Sequence, residues 1–177
     1  SIKTQFDFAQ AFGSQPLPAG PRVVVITNAG GPGIMAADAI ERLDLTFAKL
    51  SDPTCSALAS KLPAAANVHN PIDVLGDALA DRYEFALQTA LDDPGVDTIL
   101  ILLTPQAMTE TTATAEAIGR VAKKKPGKPI LACFMGGAHV AEATQVLARA
   151  HIPQYDSPEA AVATIKAMTD YVLWRGR

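Results

Sequence analysis

The sequence predicts an α/β fold built on a doubly wound parallel sheet of five strands. Three observations carry this. From residue 22 onward, β-rich and helix-patterned segments alternate, which is the order of a parallel sheet with helices on both faces. Two apolar runs, Val23-Val24-Val25-Ile26 and Ile99-Leu100-Ile101-Leu102-Leu103, have no polar break and read as strands buried on both sides. A glycine-rich turn joins the first run to a helix-favouring segment. With 49% hydrophobic and 19% charged residues over 177 positions, the chain can offset its conformational entropy by burial in one domain.

Phe6, Phe8, Ala9 and Phe12 can share one face of a short leading helix that packs on the domain. Residues 13–21 (GSQPLPAGP) form a turn-rich linker, so residues 1–20 read as leader and linker and residues 21–177 as the domain. Arg22–Thr27 is the first strand. A helix over 34–43 follows, then a strand at 45–50, a helix at 53–61 and a long turn-rich stretch at 63–77, a length often tied to function. Helix 79–91, strand Thr98–Leu103, helix 109–125 and strand 129–134 come next. Helix 138–150, a short fifth strand at 152–155 and helix 158–174 complete the chain, the last with Ser157 as N-cap before Pro158. Right-handed crossovers give the strand order 2-1-3-4-5, a flavodoxin-like arrangement. Ligands in such sheets sit at the carboxyl ends of the strands where the order reverses, which here selects the loops at 28–33 and 104–109.

Fifteen Lys and Arg against 18 Asp and Glu give a net charge of −3, without the basic footprint of a nucleic-acid binder. No apolar stretch approaches the ~20 residues needed to span a bilayer, and the first 20 residues lack the apolar core of a secretory signal, so cytoplasmic residence is expected. Cys55 and Cys133 are too few for a thiolate zinc site and read as buried free thiols; no metal site is expected. The non-Met start and the basic Trp174-Arg175-Gly176-Arg177 end suggest a piece of a longer polypeptide.

The first switch-point loop, Thr27-Asn28-Ala29-Gly30-Gly31-Pro32-Gly33, offers glycines that permit positive φ and backbone N–H groups at a helix start. Phosphate can bind there without a lysine, and Asn28, Ala29, Gly30, Gly31 and Gly33 are the candidate ligands. The P-loop Gly-Lys-Ser/Thr ending is missing and the glycine spacing is not that of a dinucleotide fold; a plain strand-to-helix turn is the alternative. Asn70 and Asp73, within Asn70-Pro71-Ile72-Asp73-Val74, are candidate walls of this site, although Asp73 can equally serve the backbone. In the second loop Thr104, Gln106, Ala107 and Thr109 face the same end, with Thr104 or Thr109 available to cap the next helix; Gly136-Gly137-Ala138-His139 is a third such loop. His69, His139 and His151 lie beside no nucleophile pattern, and Asp92, Asp93 and Asp97 read as a solvated turn. No complete catalytic set is present.

Thr27-Asn28-Ala29-Gly30-Gly31-Pro32-Gly33 with Ala37-Asp38, Asn70-Pro71-Ile72-Asp73, Gly136-Gly137, Ile152-Pro153 and Ser157-Pro158-Glu159 together resemble the NDP-forming acyl-CoA synthetases of the succinyl-CoA synthetase superfamily. The likeness is to their second ligase-CoA, flavodoxin-like domain and spans residues 15–177. It implies a parent that joins a carboxylic acid to CoA through acyl-phosphate and phosphohistidine intermediates, using ATP/ADP or GTP/GDP and Mg. It further implies partner domains for CoA binding, phosphohistidine and ATP-grasp, with phosphate and a small carboxylic acid as ligands and no cofactor bound by this domain alone. The helix beginning at Gly31 to Gly33 would point at the phosphohistidine of the partner domain, and the loop holding Thr104, Gln106, Ala107 and Thr109 at the acid. The family's phosphohistidine segment does not occur in this chain, so the resemblance implies no turnover by the isolated chain. Where the superfamily presents Gly-Gly-Ile to the acid, this chain reads Pro105-Gln106-Ala107.

Two other readings stand beside it. A flavodoxin-like regulatory or binding module, for example fused to a protein acetyltransferase, needs no ligase activity. A flavin binder needs hydroxyl-rich phosphate loops and aromatic stacking residues, which residues 28–33 lack.

Overall fold

The computed structural model describes residues 2–176; Ser1 and Arg177, the outer bounds of the expected leader and domain, lie outside them. Five strands form one parallel sheet: β1 (Arg22–Thr27), β2 (Thr46–Phe47), β3 (Ile72–Asp73), β4 (Thr98–Leu103) and β5 (Ile130–Phe134). Their order is β2-β1-β4-β5, with β3 also on β1, so the doubly wound α/β architecture stands. The register on β1 is Val23 to Thr98 through Ile26 to Ile101, and on β4 it is Ile99 to Ile130 through Leu103 to Phe134.

Two edge strands differ from expectation. The strand at 45–50 shrinks to Thr46–Phe47, because beyond it the edge of β1 is taken by a side chain. Val25 N–H donates to Asn70 Oδ1 at 3.0 Å, while Asn70 Nδ2 donates to Val23 O at 2.8 Å and to Ala48 O at 3.1 Å. One carboxamide thus fills the gap in the ladder, and β3 resumes pairing at Ile26 with Ile72 and Thr27 with Asp73. The fifth strand at 152–155 reduces to a single parallel bridge between Ala132 and Gln154. There too a carboxamide replaces backbone: Gln154 Oε1 accepts from Phe134 N at 2.9 Å and Nε2 donates to Phe134 O at 3.1 Å.

Helices cover both faces. On one, Val24, Ile26, Ile99, Ile101 and Leu103 pack with residues of α3 (Asp52–Lys61), α4 (Ala80–Asp92), α5 (Thr111–Lys124) and α6 (Ala141–Arg149). On the other, Val23, Val25, Leu100, Leu102 and Leu131 pack with α2 (Gly30–Arg42) and α7 (Pro158–Arg175). The sheet side chains are buried on both sides, and each large aliphatic one stabilises the fold by about 1.5–3 kcal/mol. Ser51 Oγ accepts from Thr54 N, and Ser157 Oγ from Ala160 N at 3.2 Å, so the expected cap of the closing helix is in place. Helix 138–150 divides into a 3₁₀ turn, Gly137–Val140, and α6.

The leading helix α1 (Ile2–Ser14) lies against α7, with Phe12 edge-on to Tyr171 at 5.5 Å. Its buried residue is Ala11, while Phe6 is 72% exposed, so the face expected from Phe6 and Ala9 is not the one that packs. Gln15 in the linker joins the sheet: its Oε1 accepts from Ile130 N at 2.8 Å and its Nε2 donates to His151 O at 2.7 Å. The turn at Asp93 and Asp97 is a further correction, since these residues are 1% and 2% exposed. Asp97 receives Arg22 Nε, Nη2 and backbone N–H at 2.7–2.9 Å, and Asp93 receives Ser51 N, Ser51 Oγ and Gly95 N. Burial opposes both charges, but these donors outweigh it and hold both carboxyls below the usual range. Cys55 is a half-buried and Cys133 a buried free thiol. Among the described residues no helix is long and apolar enough to cross a membrane.

Candidate phosphate site

The residues selected at the switch point meet at the carboxyl ends of β1 and β4. Asn28 is 2% exposed and its carboxamide is fully engaged: Nδ2 donates to Thr104 O at 2.8 Å, and Oδ1 accepts from Thr104 N at 2.9 Å and Thr104 Oγ1 at 3.2 Å. Gln106 Nε2 adds a bond to Asn28 O at 3.1 Å. Neither Asn28 nor Thr104 therefore presents a free side chain to a ligand; together they fix the two loops to each other. Gly76 and Gly136 make room for this arrangement, since a Cβ on Gly76 would run into the Gln106 carboxamide and one on Gly136 would stand 2.5 Å from Pro105.

The glycine loop is the first turn of a helix. α2 starts at Gly30, with Ala29 as an extended N-cap that supplies no side-chain bond. Gly30, Gly31 and Gly33 have no positive φ, which corrects the conformational role expected for them; helical dihedrals suffice once the helix begins this early. Gly33 is glycine for packing, its Cβ position lying 3.3 Å from Thr27 Cγ2, whereas Gly30 and Gly31 face open space. Of the five candidate ligands, Ala29 N–H is spent on Thr27 Oγ1 at 3.1 Å and Gly33 N–H on Ala29 O at 3.4 Å. Pro32 has no N–H. The donors left without a partner among the described residues are Gly30 and Gly31 N–H, carrying the positive end of the helix dipole.

A cleft of about 240 Å³ lies beside them, lined by Thr27, Gly30, Gly33, Ile34, Asn67 and Asp73. Asp73 lines this cleft, and its Oδ1 also accepts from Leu75 N at 2.9 Å, where Leu75 has φ 73°. Asn70 is not a wall but part of the sheet edge. No Lys or Arg lines this cleft. Ala107 is exposed, and Thr109 does not cap the next helix: its Oγ1 accepts from Gln106 N at 2.9 Å within a turn, and Glu110 is the N-cap of α5. Around this end Ile34, Met35, Leu79 and Met108 are exposed apolar side chains. Ile34 and Met35 escaped the sequence reading because surface-facing apolar residues on an amphipathic helix cannot be told from core positions by spacing alone, and Leu79 and Met108 because they stand outside helix interiors, as the N-cap of α4 and in the turn after β4. His139 stands on the exposed 3₁₀ turn and His69 beside Cys55, with Sγ to Nδ1 at 3.5 Å. Burial, with Asp52 and Asp93 nearby, pushes the Cys55 thiol up, so this pair holds no thiolate nucleophile. Among the described residues no three His, Cys, Asp or Glu side chains gather as a metal set.

The architecture recurs in known proteins. Acetate–CoA ligase [ADP-forming] I of Archaeoglobus fulgidus is 37% identical over 97% of this chain and 24% of its own length. Acetate–CoA ligase [ADP-forming] II subunit alpha of Pyrococcus furiosus is 38% identical over 95% of this chain and 37% of its own length. The acetyl-coenzyme A synthetase 1 of Ca. Korarchaeum cryptofilum, solved in complex with phosphate and ADP, superposes with a TM-score of 0.92 at 30% identity, covering 99% of this chain and 38% of that one. The chain spans about a quarter to two fifths of the length of these relatives. The Ligase-CoA domain family matches residues 23–175, and the chain belongs to that family.

Proposed function

We propose that this chain is the ligase-CoA domain of an ADP-forming acyl-CoA ligase, in which the start of α2 stabilises a phosphoryl group carried by a histidine of a partner domain. The observation that carries the reading is the uncapped helix start, where Gly30 and Gly31 N–H have no partner among the described residues and the Cβ positions of both face open space. A helix end favours a nearby anion by ~0.3–1 kcal/mol when exposed and up to ~2 kcal/mol when partly buried. Direct N–H bonds to a dianionic phosphoryl group add charge-assisted strength. With no Lys or Arg in the cleft and Asp73 at its wall, retention is weak, which suits a group that must be passed on.

In this reading the parent uses CoA, the ADP/ATP couple and a small carboxylic acid, as the names of the relatives support, and Mg as the nucleotide's counter-ion by proposal alone. CoA-binding, phosphohistidine and ATP-grasp domains are its partners, and the loop holding Gln106 and Ala107 faces the acid. The exposed Ile34, Met35, Leu79 and Met108 suit docking of the histidine-bearing domain over the helix start. The isolated chain forms no acyl-CoA. Phosphate titration of the ¹⁵N-labelled chain tests the site: amide shifts are expected at Gly30 and Gly31, and shifts clustered away from α2 would overturn the reading.

A further inference from the structure

The opposite end of the sheet carries a larger groove with different chemistry. It holds about 860 Å³, within the roughly 300–1,000 Å³ of small-molecule sites, and lies at the start of β5 between the ends of α5 and α6 and the linker at Gln15 and Pro16. Its floor is apolar, formed by Ile130, Val146 and Ala150. Gly119 lets α5 close on this floor, since a Cβ there would stand 3.0 Å from Ala150 Cβ.

Five cations border the floor against one acid, in a chain of net charge −3. Arg120 is paired with Glu84 at 3.0 Å and Lys125 with Asp92. Lys128 donates to Asp93 O, and burial pulls its ammonium below the usual lysine range despite nearby carboxylates. Lys123 and Arg149 have no hydrogen bond or ion pair among the described residues. Both line the groove and are open to an anion. His151 follows α6 at φ 60°, and Gln15 Nε2 donates to its carbonyl at 2.7 Å, fixing the linker side of the groove.

We propose that this groove binds a phosphorylated nucleotide, with its flat base on the floor of Ile130, Val146 and Ala150 and its phosphates on Lys123 and Arg149. A bare inorganic anion leaves the apolar floor unused; an uncharged ring leaves the cations uncompensated. The two sources of this chemistry are free ADP and the nucleotide half of CoA. The site lies at the end of the sheet away from Gly30 and Gly31, so it does not depend on the function proposed above.

Titration of the ¹⁵N-labelled chain with ADP, with CoA and with inorganic phosphate decides it. ADP or CoA should give saturable amide shifts at Gly119, Gly127, Ile130 and Ala150, with phosphate alone binding there about tenfold more weakly or less well. Shifts with ADP but not CoA identify the free nucleotide, and shifts with CoA alone identify the bound one. Lys123→Glu with Arg149→Glu should weaken binding by at least about tenfold at an unchanged melting temperature. If that pair unfolds the chain, Lys123→Gln with Arg149→Gln serves the same comparison. No saturable shift at the groove with either nucleotide, phosphate binding as tightly as ADP, or full affinity in the charge variants would overturn the proposal. Phosphate shifts at Gly30 and Gly31 together with no shift at the groove from ADP or CoA would overturn it while leaving the proposed function intact.

Discussion

Asn28 and Thr104 are joined by two antiparallel hydrogen bonds, 2.8 Å from Asn28 Nδ2 to Thr104 O and 2.9 Å from Thr104 N to Asn28 Oδ1. One buried carboxamide thereby ties the loop that opens α2 to the loop after β4. Asn28→Ala leaves both backbone groups of Thr104 without this partner, and a loss of about 1–3 kcal/mol is expected. Asn28→Asp should cost at least as much, because a carboxylate oxygen then faces Thr104 O. Urea midpoints of the three chains check this; a change under about 0.5 kcal/mol for Asn28→Ala would show that the clasp adds nothing to stability.

Asn70 plays a comparable part at the sheet edge, bonding Val23, Val25 and Ala48 between β2 and β3. Asn70→Ala removes three bonds from a partly buried ladder, and about 1–3 kcal/mol of destabilisation is expected. Amide exchange locates the effect: Val25 should lose protection before Leu100 on the neighbouring strand. Equal loss at both would mean that the residue supports the fold only globally.

These two asparagines mark the limit of what the sequence disclosed. The central strands were legible because Val23 to Ile26 and Ile99 to Leu103 are apolar at every position, as a sheet covered on both faces requires. The edge was not, because Asn70, Gln154 and Gln15 complete it with side chains, and no periodicity records a carboxamide standing in for a peptide group. The glycine loop was found for its placement, yet its conformation was misread: Gly30 and Gly31 belong to a helix that starts one turn before its first strongly apolar residue, Ile34. Asp93 and Asp97 looked solvated because a charge in a turn is normally exposed, and their partners Ser51 and Arg22 lie far away in sequence.

Acid should expose that last point. The folded carboxyls of Asp93 and Asp97 lie below the usual range, so burial is outweighed by their donors and both stay ionised in the native state. Their stabilisation is therefore present above the unfolded carboxyl value of about 3.9 and is lost as pH falls through the lower folded values. Unfolding free energy should decrease with acid over that window, and Asp97→Asn should flatten the slope while lowering stability at neutral pH by about 1–3 kcal/mol. The Arg22 side chain is 44% exposed, so added salt should weaken the pair only modestly. Parallel pH profiles for the two chains would rule the account out.

Gly31 and Gly33 separate packing from phosphate binding. A methyl group on Gly31 meets no atom within 4 Å, and its φ is not positive, so alanine there should keep or raise stability, by up to about 1 kcal/mol from helix propensity. A methyl group on Gly33 stands 3.3 Å from Thr27 Cγ2 beneath the loop, so Thr27 must give by a few tenths of an ångström and alanine there should be less stable than alanine at position 31. The effects on phosphate run the other way. The Gly33 amide already bonds Ala29 O, whereas a branched side chain on Gly31 crowds the free donors, so Gly31→Val should lose phosphate-induced amide shifts in a chain that still folds. In a parent enzyme the same substitution should lower the trapped phosphoenzyme yield with nucleotide binding unchanged. Gly31→Val that melts normally and shifts with phosphate as the unsubstituted chain does would make this helix start a turn and nothing more.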